Sequence, residues 1–191
     1  MKDRLITRLG QQNGFWKDEV VALIKAAGQN PSSKLVWLYE EGTLQFKEDS
    51  DLLNYAIANY QINHDWKQGT EIRPHLHWKQ IGSNVPNWMI QYRWQTNGQD
   101  FSTSWTSVAW DGQVFASPMI EPRVQINTFP GIQPPEGNNV SDILQIRLIR
   151  DIENDSGLFG GDDPFEDDVE AISFDIHYRI DYPGSKQEFK K

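Results

Sequence analysis

The chain has 191 residues, a formal net charge of −9 and no cysteine, with 8 Trp among an aromatic content of 12%. That length suits one domain with a sizeable core. The missing thiols exclude disulfides, thiolate zinc sites and cysteine nucleophiles. Apolar runs are too short to span a membrane, and the polar start, Met1 to Gln12, lacks the apolar core of a signal peptide, so synthesis in a bacterial cytoplasm without export is expected.

The acidity is local. Nine carboxylates and no base fall between Asp151 and Glu170, and the 27 acidic residues less these nine equal the 18 basic ones. With no basic run anywhere, phosphate backbones are poor partners, and nucleic-acid binding is excluded as the main function.

In chain order, residues 1–33 differ from the rest. Asp18 reads as an N-cap, and Val20, Leu23, Ile24 and Ala27 make one helical stripe that stops at Gly28. A short N-terminal helical arm, packed on its own domain or on a neighbour, is therefore expected for 1–33, with a β domain over 34–191. Leu35 to Tyr39 and Thr43 to Lys47 flank Glu40-Glu41-Gly42 as a hairpin, and Asn54 to Ile62 leans to strand.

Period-two alternation then becomes clear. Ile72, Leu76 and Trp78 oppose Glu71, Arg73, His75, His77 and Lys79. Trp88, Ile90, Tyr92 and Trp94 form another apolar face, as do Leu144, Ile146 and Leu148, with Ile143 and Ile149 as exceptions. Ile172, Phe174, Ile176, Tyr178 and Ile180 oppose Ser173, Asp175, His177 and Arg179. Successive strand side chains point to opposite sheet faces, so the expected class is all-β: an antiparallel β-sandwich or jelly roll. Ser104 to Trp110 and Val114 to Asn127 are weaker strands.

Chemistry concentrates in few places. His75 and His77, at i and i+2 on one strand, point the same way and offer two imidazoles to a metal. Asp175 and His177 repeat that spacing, and all four meet if their strands are neighbours. Gly69 followed by His75-Leu76-His77 matches the first part of the cupin metal motif, but Ile81 and Gly82 stand where a cupin supplies Glu. The competing reading is a hydrogen-bonded polar sheet face, and it is the one favoured here; the expected cofactor is none. The acidic stretch does not fit a calcium loop and reads as solvated. No nucleophile elbow, P-loop or dinucleotide fingerprint is present, so the chain is not expected to be an enzyme. Trp66, Trp105 and Trp110, out of phase with the core, are candidates for a carbohydrate platform.

Two segments carry a resemblance. His64-Asp65-Trp66-Lys67-Gln68-Gly69-Thr70-Glu71-Ile72-Arg73-Pro74-His75-Leu76-His77-Trp78 resembles a pattern ending P-H-x-H-W in virion proteins of tailed bacteriophages and prophages. Phe174-Asp175-Ile176-His177-Tyr178-Arg179-Ile180-Asp181, followed by Gly184-Ser185-Lys186-Gln187, resembles the closing segment of the same proteins. The likeness runs from about Asn54 to Lys191 and departs at Asn63, where the pattern often has proline. It implies a structural component of the head, neck or tail of a virion, commonly trimeric, with other virion proteins as partners and no catalytic residue to carry over. A cupin-like metal protein and a carbohydrate-binding attachment module are the alternatives.

Overall fold

A computed structural model describes residues 15–25, 35–48, 54–82, 84–110 and 119–181. Eleven strands occur in it: β1 (Phe15–Val20), β2 (Ile24–Lys25), β3 (Leu35–Leu38), β4 (Thr43–Phe46), β5 (Tyr55–Gln61), β6 (Ile72–Gly82), β7 (Trp88–Gln95), β8 (Thr106–Ala109), β9 (Met119–Thr128), β10 (Ile143–Arg150) and β11 (Val169–Ile180). They form two antiparallel sheets. The first runs β3-β4-β11-β6-β9, with β1 also paired to β11, and the second runs β2-β5-β10-β7-β8.

The two sheets face each other across one core. Phe46, Leu76, Trp78, Phe174 and Ile176 come from the first sheet; Ala58, Ile90, Leu144, Ile146 and Leu148 come from the second. Rings interlock between them, with Phe46 edge-on to Trp88 at 5.1 Å and Trp78 to Trp88 at 6.4 Å between centroids. A β-sandwich results, because each strand keeps one apolar face that only the opposite sheet can cover.

Three local readings change. The helix expected from Asp18 to Gly28 is not formed over its described residues: Phe15–Val20 is a strand paired to the second half of β11, and Ile24–Lys25 adds a short strand beside β5 in the other sheet. Val20 and Val21, β-branched, suit extended backbone as well as a helix stripe, and the free edge of β11 decides between them. Ala27 and Gly28 lie outside the described residues. A bulge between Ala171 and Ser173 shifts the β11 register, turning Ala171 into the core and leaving Ile172 38% exposed. Ile149 breaks the pattern of β10 because the outer face of the second sheet is itself covered at one end, where Tyr55, Met89 and Ile149 pack with Phe159.

Phe159 comes from the acidic stretch, which is tied down and not merely solvated. Arg150 is fully buried. Its Nε donates to Asp163 Oδ2 at 2.7 Å, Nη1 to the Asp167 carbonyl at 2.7 Å, and Nη2 to the Phe165 carbonyl. Asp151 accepts from the Asp155 amide at 2.9 Å and the Ser156 amide at 3.2 Å, and Asp168 pairs with Lys47 at 2.6 Å. Several of the carboxylates that suggested calcium are thus spent on fixing the loop.

Candidate functional site

The outer face of the first sheet is read off its register. Asp175 lies opposite His75 on one side and Val20 on the other; His177 lies opposite Arg73 and Asp18; Ser173 lies opposite His77. The four residues singled out in the sequence therefore occupy one patch on β6 and β11, with Asp18 of β1 at its border. His177 Nε2 is 3.1 Å from Asp18 Oδ1 and 3.6 Å from Asp175 Oδ2, and the His75 and His177 rings stack at 4.0 Å.

The arrangement differs from the one expected in a specific way. One ligand atom from each of His75, Asp175 and His177 lies within 4.8 Å of the others, and His77 is outside that group. Residues i and i+2 on one strand are about 6.8 Å apart, whereas directly opposed residues on neighbouring strands approach to about 5 Å. Asp175 directly opposes His75, while His177, two residues on along the same strand, reaches both by side-chain orientation, its Nε2 3.6 Å from Asp175 Oδ2 and its ring 4.0 Å from that of His75. His77 instead places Nε2 3.0 Å from Asp175 Oδ1.

Asp175 is 3% exposed. Burial lifts its carboxyl above the usual carboxylate range, His77 opposing the shift and Asp18 adding to it. Burial, and after it the charge of His177, holds the His75 imidazole down to about 4, which leaves that ring neutral at pH 7.

Apolar side chains flank the patch. Val20 is 72% exposed on β1. On the other side β9 forms the sheet edge with an inverted pattern, Gln125 and Asn127 buried while Val124 and Ile126 stand 61% and 51% exposed. Asn127 is held inward because its Oδ1 accepts the Trp78 indole N–H at 2.6 Å. Val124 and Ile126 lie opposite Lys79 and His77. The sequence marked this segment only as a weaker strand over Val114 to Asn127, and its pairing fixes which face is which.

The second sheet carries a different face, which the sequence did not set apart. Its outward rows are Gln61–Ile143–Gln95, Asn59–Gln145–Arg93 and Ile57–Arg147–Gln91. The Arg93 and Arg147 guanidiniums lie 4.2 and 4.0 Å from the centroid of the Trp105 ring, and Arg93 also lies 4.8 Å from Phe101. Each donates to a glutamine, Arg93 to Gln145 at 2.8 Å and Arg147 to Gln91 at 3.2 Å; among the described residues neither forms an ion pair. Beside them opens a shallow cleft of about 740 Å³ lined by Asn59, Gln61, Gln95, Asn97, Gln99, Phe101 and Gln145. Trp105 is half-buried here, whereas Trp110 packs against the inter-sheet core and Trp66 is fully buried, so both drop out as a carbohydrate platform.

No protein-family model matches the chain, and no curated protein matches it. Among solved structures, a xylan-binding module CBM15 is similar at 13% identity and a TM-score of 0.39, covering 88% of this chain and 92% of its own. The Eiger TNF from S. frugiperda is similar at 8% identity and a TM-score of 0.27, covering 91% and 99%. Both scores are too low to bear on ligand or function.

Proposed function

We propose that the chain is a structural component of a bacteriophage virion that works by assembling with copies of itself and with other virion proteins, and that it is not an enzyme. The observation that carries the assembly is the inverted pattern of β9. β9 turns Val124 and Ile126 to the outside while burying Gln125 and Asn127. Pro122 and Arg123 blunt its first half, and among the described residues nothing pairs with its outer edge over 124–128, which leaves that half open to pairing. A second copy of the same edge covers both the apolar side chains and the open backbone groups.

Two further features support this reading. The segments that resemble virion proteins, 64–78 and 174–181, include most of β6 and the second half of β11, which lie side by side in the first sheet. Their shared outward residues adjoin the β9 edge. The strand orders β4-β11-β6-β9 and β5-β10-β7-β8 support reading the sandwich as a jelly roll, an architecture common in capsid proteins and lectins.

Light scattering of untagged protein tests the proposal. A closed oligomer is expected, a dimer where two β9 edges pair with each other and a trimer, as the resemblance implies, only where β9 meets a different edge of its neighbour. The double variant Val124→Lys, Ile126→Lys should dissociate it to a folded monomer. A wild-type chain that stays monomeric at all concentrations overturns self-assembly through this edge.

A second reading is favoured by the other face: attachment to an acidic glycan. Paired guanidiniums with no carboxylate partner among the described residues, beside an amide-lined cleft, match the bidentate recognition of carboxylate and hydroxyl groups. The two readings are compatible, since they use opposite sheets. Titration with a uronic-acid oligosaccharide against a neutral one tests it, and equal failure of both removes it.

A further inference from the structure

We propose that His75, Asp175 and His177 bind one divalent transition metal ion of the zinc class on the outer face of the first sheet, with Asp18, outside that trio but 3.1 Å from His177 Nε2, closing the shell as the fourth ligand by rotation of its exposed side chain. This does not depend on the assembly reading.

The geometry points there first. Ligand atoms of a tetrahedral zinc ion, with bonds near 2.05 Å, stand about 3.3 Å apart. The His177 Nε2 contacts with Asp18 Oδ1 at 3.1 Å and Asp175 Oδ2 at 3.6 Å straddle that value, and the trio as a whole lies within 4.8 Å. The donors are two imidazoles and two carboxylates, the set that suits zinc, and their two negative charges balance a dication.

Burial and hydrogen bonding supply the second argument. The Asp175 side chain is 5% exposed, and its Oδ1 takes no hydrogen bond of acceptable direction although His77 Nε2 is 3.0 Å away. A buried carboxylate stacked against imidazoles, without directed hydrogen bonds at that oxygen, is costly unless a cation satisfies it. Among the described residues no lysine or arginine does so: Arg73 is engaged by Glu71 at 2.5 Å, and Lys79 by Glu170 at 2.8 Å. His77 then becomes a positioning residue. Its Nε2 lies nearest Oδ1, outside hydrogen-bond direction, while Oδ2 faces His177; an ion drawn to the carboxylate lets the His77 ring turn to donate to the oxygen behind it, as groups behind a metal ligand commonly do.

The composition makes the test clean. The chain holds four histidines, and His64, engaged with Ser141 Oγ at 2.8 Å, is the one outside the patch. Untagged full-length protein, stripped with chelator and dialysed, is titrated with Zn2+ by calorimetry and with Co2+ by visible absorption. One ion per chain is expected, with the intense d–d bands of four-coordinate cobalt. His75→Gln and His177→Gln should each weaken binding at least tenfold with circular dichroism unchanged. His64→Gln should bind as wild type, and His77→Gln should weaken binding less than the two ligand variants. Absence of a one-to-one Zn2+ isotherm overturns the proposal, and so does binding that survives both ligand substitutions, because surface carboxylates then account for it. If a variant unfolds, replacing Asp18 by Asn, at an exposed side chain, keeps the test alive: cobalt bands unaltered by that change remove the fourth ligand.

Discussion

The Asp163→Asn variant isolates what the buried Arg150 contributes. Both side chains are fully buried, with Arg150 Nε 2.7 Å from Asp163 Oδ2. Burial pushes the Asp163 carboxyl up, and the guanidinium pulls it back only in part, so desolvation dominates for the acid. The gain from the pair lies with Arg150, whose other partners are the neutral Phe165 and Asp167 carbonyls. Asparagine keeps the volume and an acceptor but leaves the cation without an anion. Breaking a buried pair in this way costs about 3–5 kcal/mol, and the retained acceptor argues for the lower end, about 3 kcal/mol. For a domain of this size each kcal/mol lowers Tm by about 2–4 °C, so a drop of roughly 6–12 °C is expected. Urea unfolding followed by tryptophan fluorescence gives the free energy, and differential scanning calorimetry gives Tm. A loss below about 1 kcal/mol would falsify the reasoning, since it would mean that the loop opens and water solvates the guanidinium at little cost. The double variant with Arg150→Met should be less destabilised than the sum of the single changes, because the two groups are coupled.

Other expectations follow from the same geometry. Trp88→Ala removes a fully buried ring that meets both Phe46 and Trp78, and it should cost about 3–5 kcal/mol by urea unfolding. Tyr178→Phe removes a hydroxyl that accepts from Asn63 at 2.7 Å and lies 3.2 Å from Asp65 Oδ1; a loss of about 1–2 kcal/mol is expected, and no change would show that water replaces it. Trp105→Ala should abolish detectable binding of an acidic oligosaccharide without lowering Tm by more than a few degrees, whereas a loss of fold would assign Trp105 to packing alone.

What was legible in the sequence was whatever repeats with period two. The apolar faces of β6, β7 and β10 sit in the core as their alternation predicts, because a strand in a sandwich buries every second residue whatever its partners. What was not legible depends on pairing. Val20 to Ala27 has helical spacing, yet the open edge of β11 draws Phe15–Val20 into a sheet. The bulge at Ala171 is a non-local event, set by β6 and β4 on either side of β11. The His75/Asp175/His177 group could be named from the sequence only by assuming that β6 and β11 are neighbours, and His77 was misplaced because spacing along one strand says nothing about approach across two. Arg93 and Arg147, about fifty residues apart, were legible as outward polar residues of their strands and read as sharing a polar face with the histidines, but pairing puts them together on the opposite sheet.

The two faces make a prediction that neither makes alone. If β9 edges join copies through the first sheet, the Arg93/Arg147/Trp105 face of the second sheet points away from the contact and stays open in every copy. Each site then has the same intrinsic affinity in monomer and oligomer, while a surface bearing many glycans engages several sites at once. Linked binding of this kind raises overall avidity by about 10²–10⁴ without any new contact. The Val124→Lys, Ile126→Lys variant should therefore bind a soluble acidic oligosaccharide as wild type does by calorimetry, yet dissociate from a glycan-coated surface at least tenfold faster. Equal surface retention would mean that the oligomer does not present its sites together. A weakened soluble affinity would mean instead that the edge and the second-sheet face communicate, and the division of labour between the sheets would have to be given up.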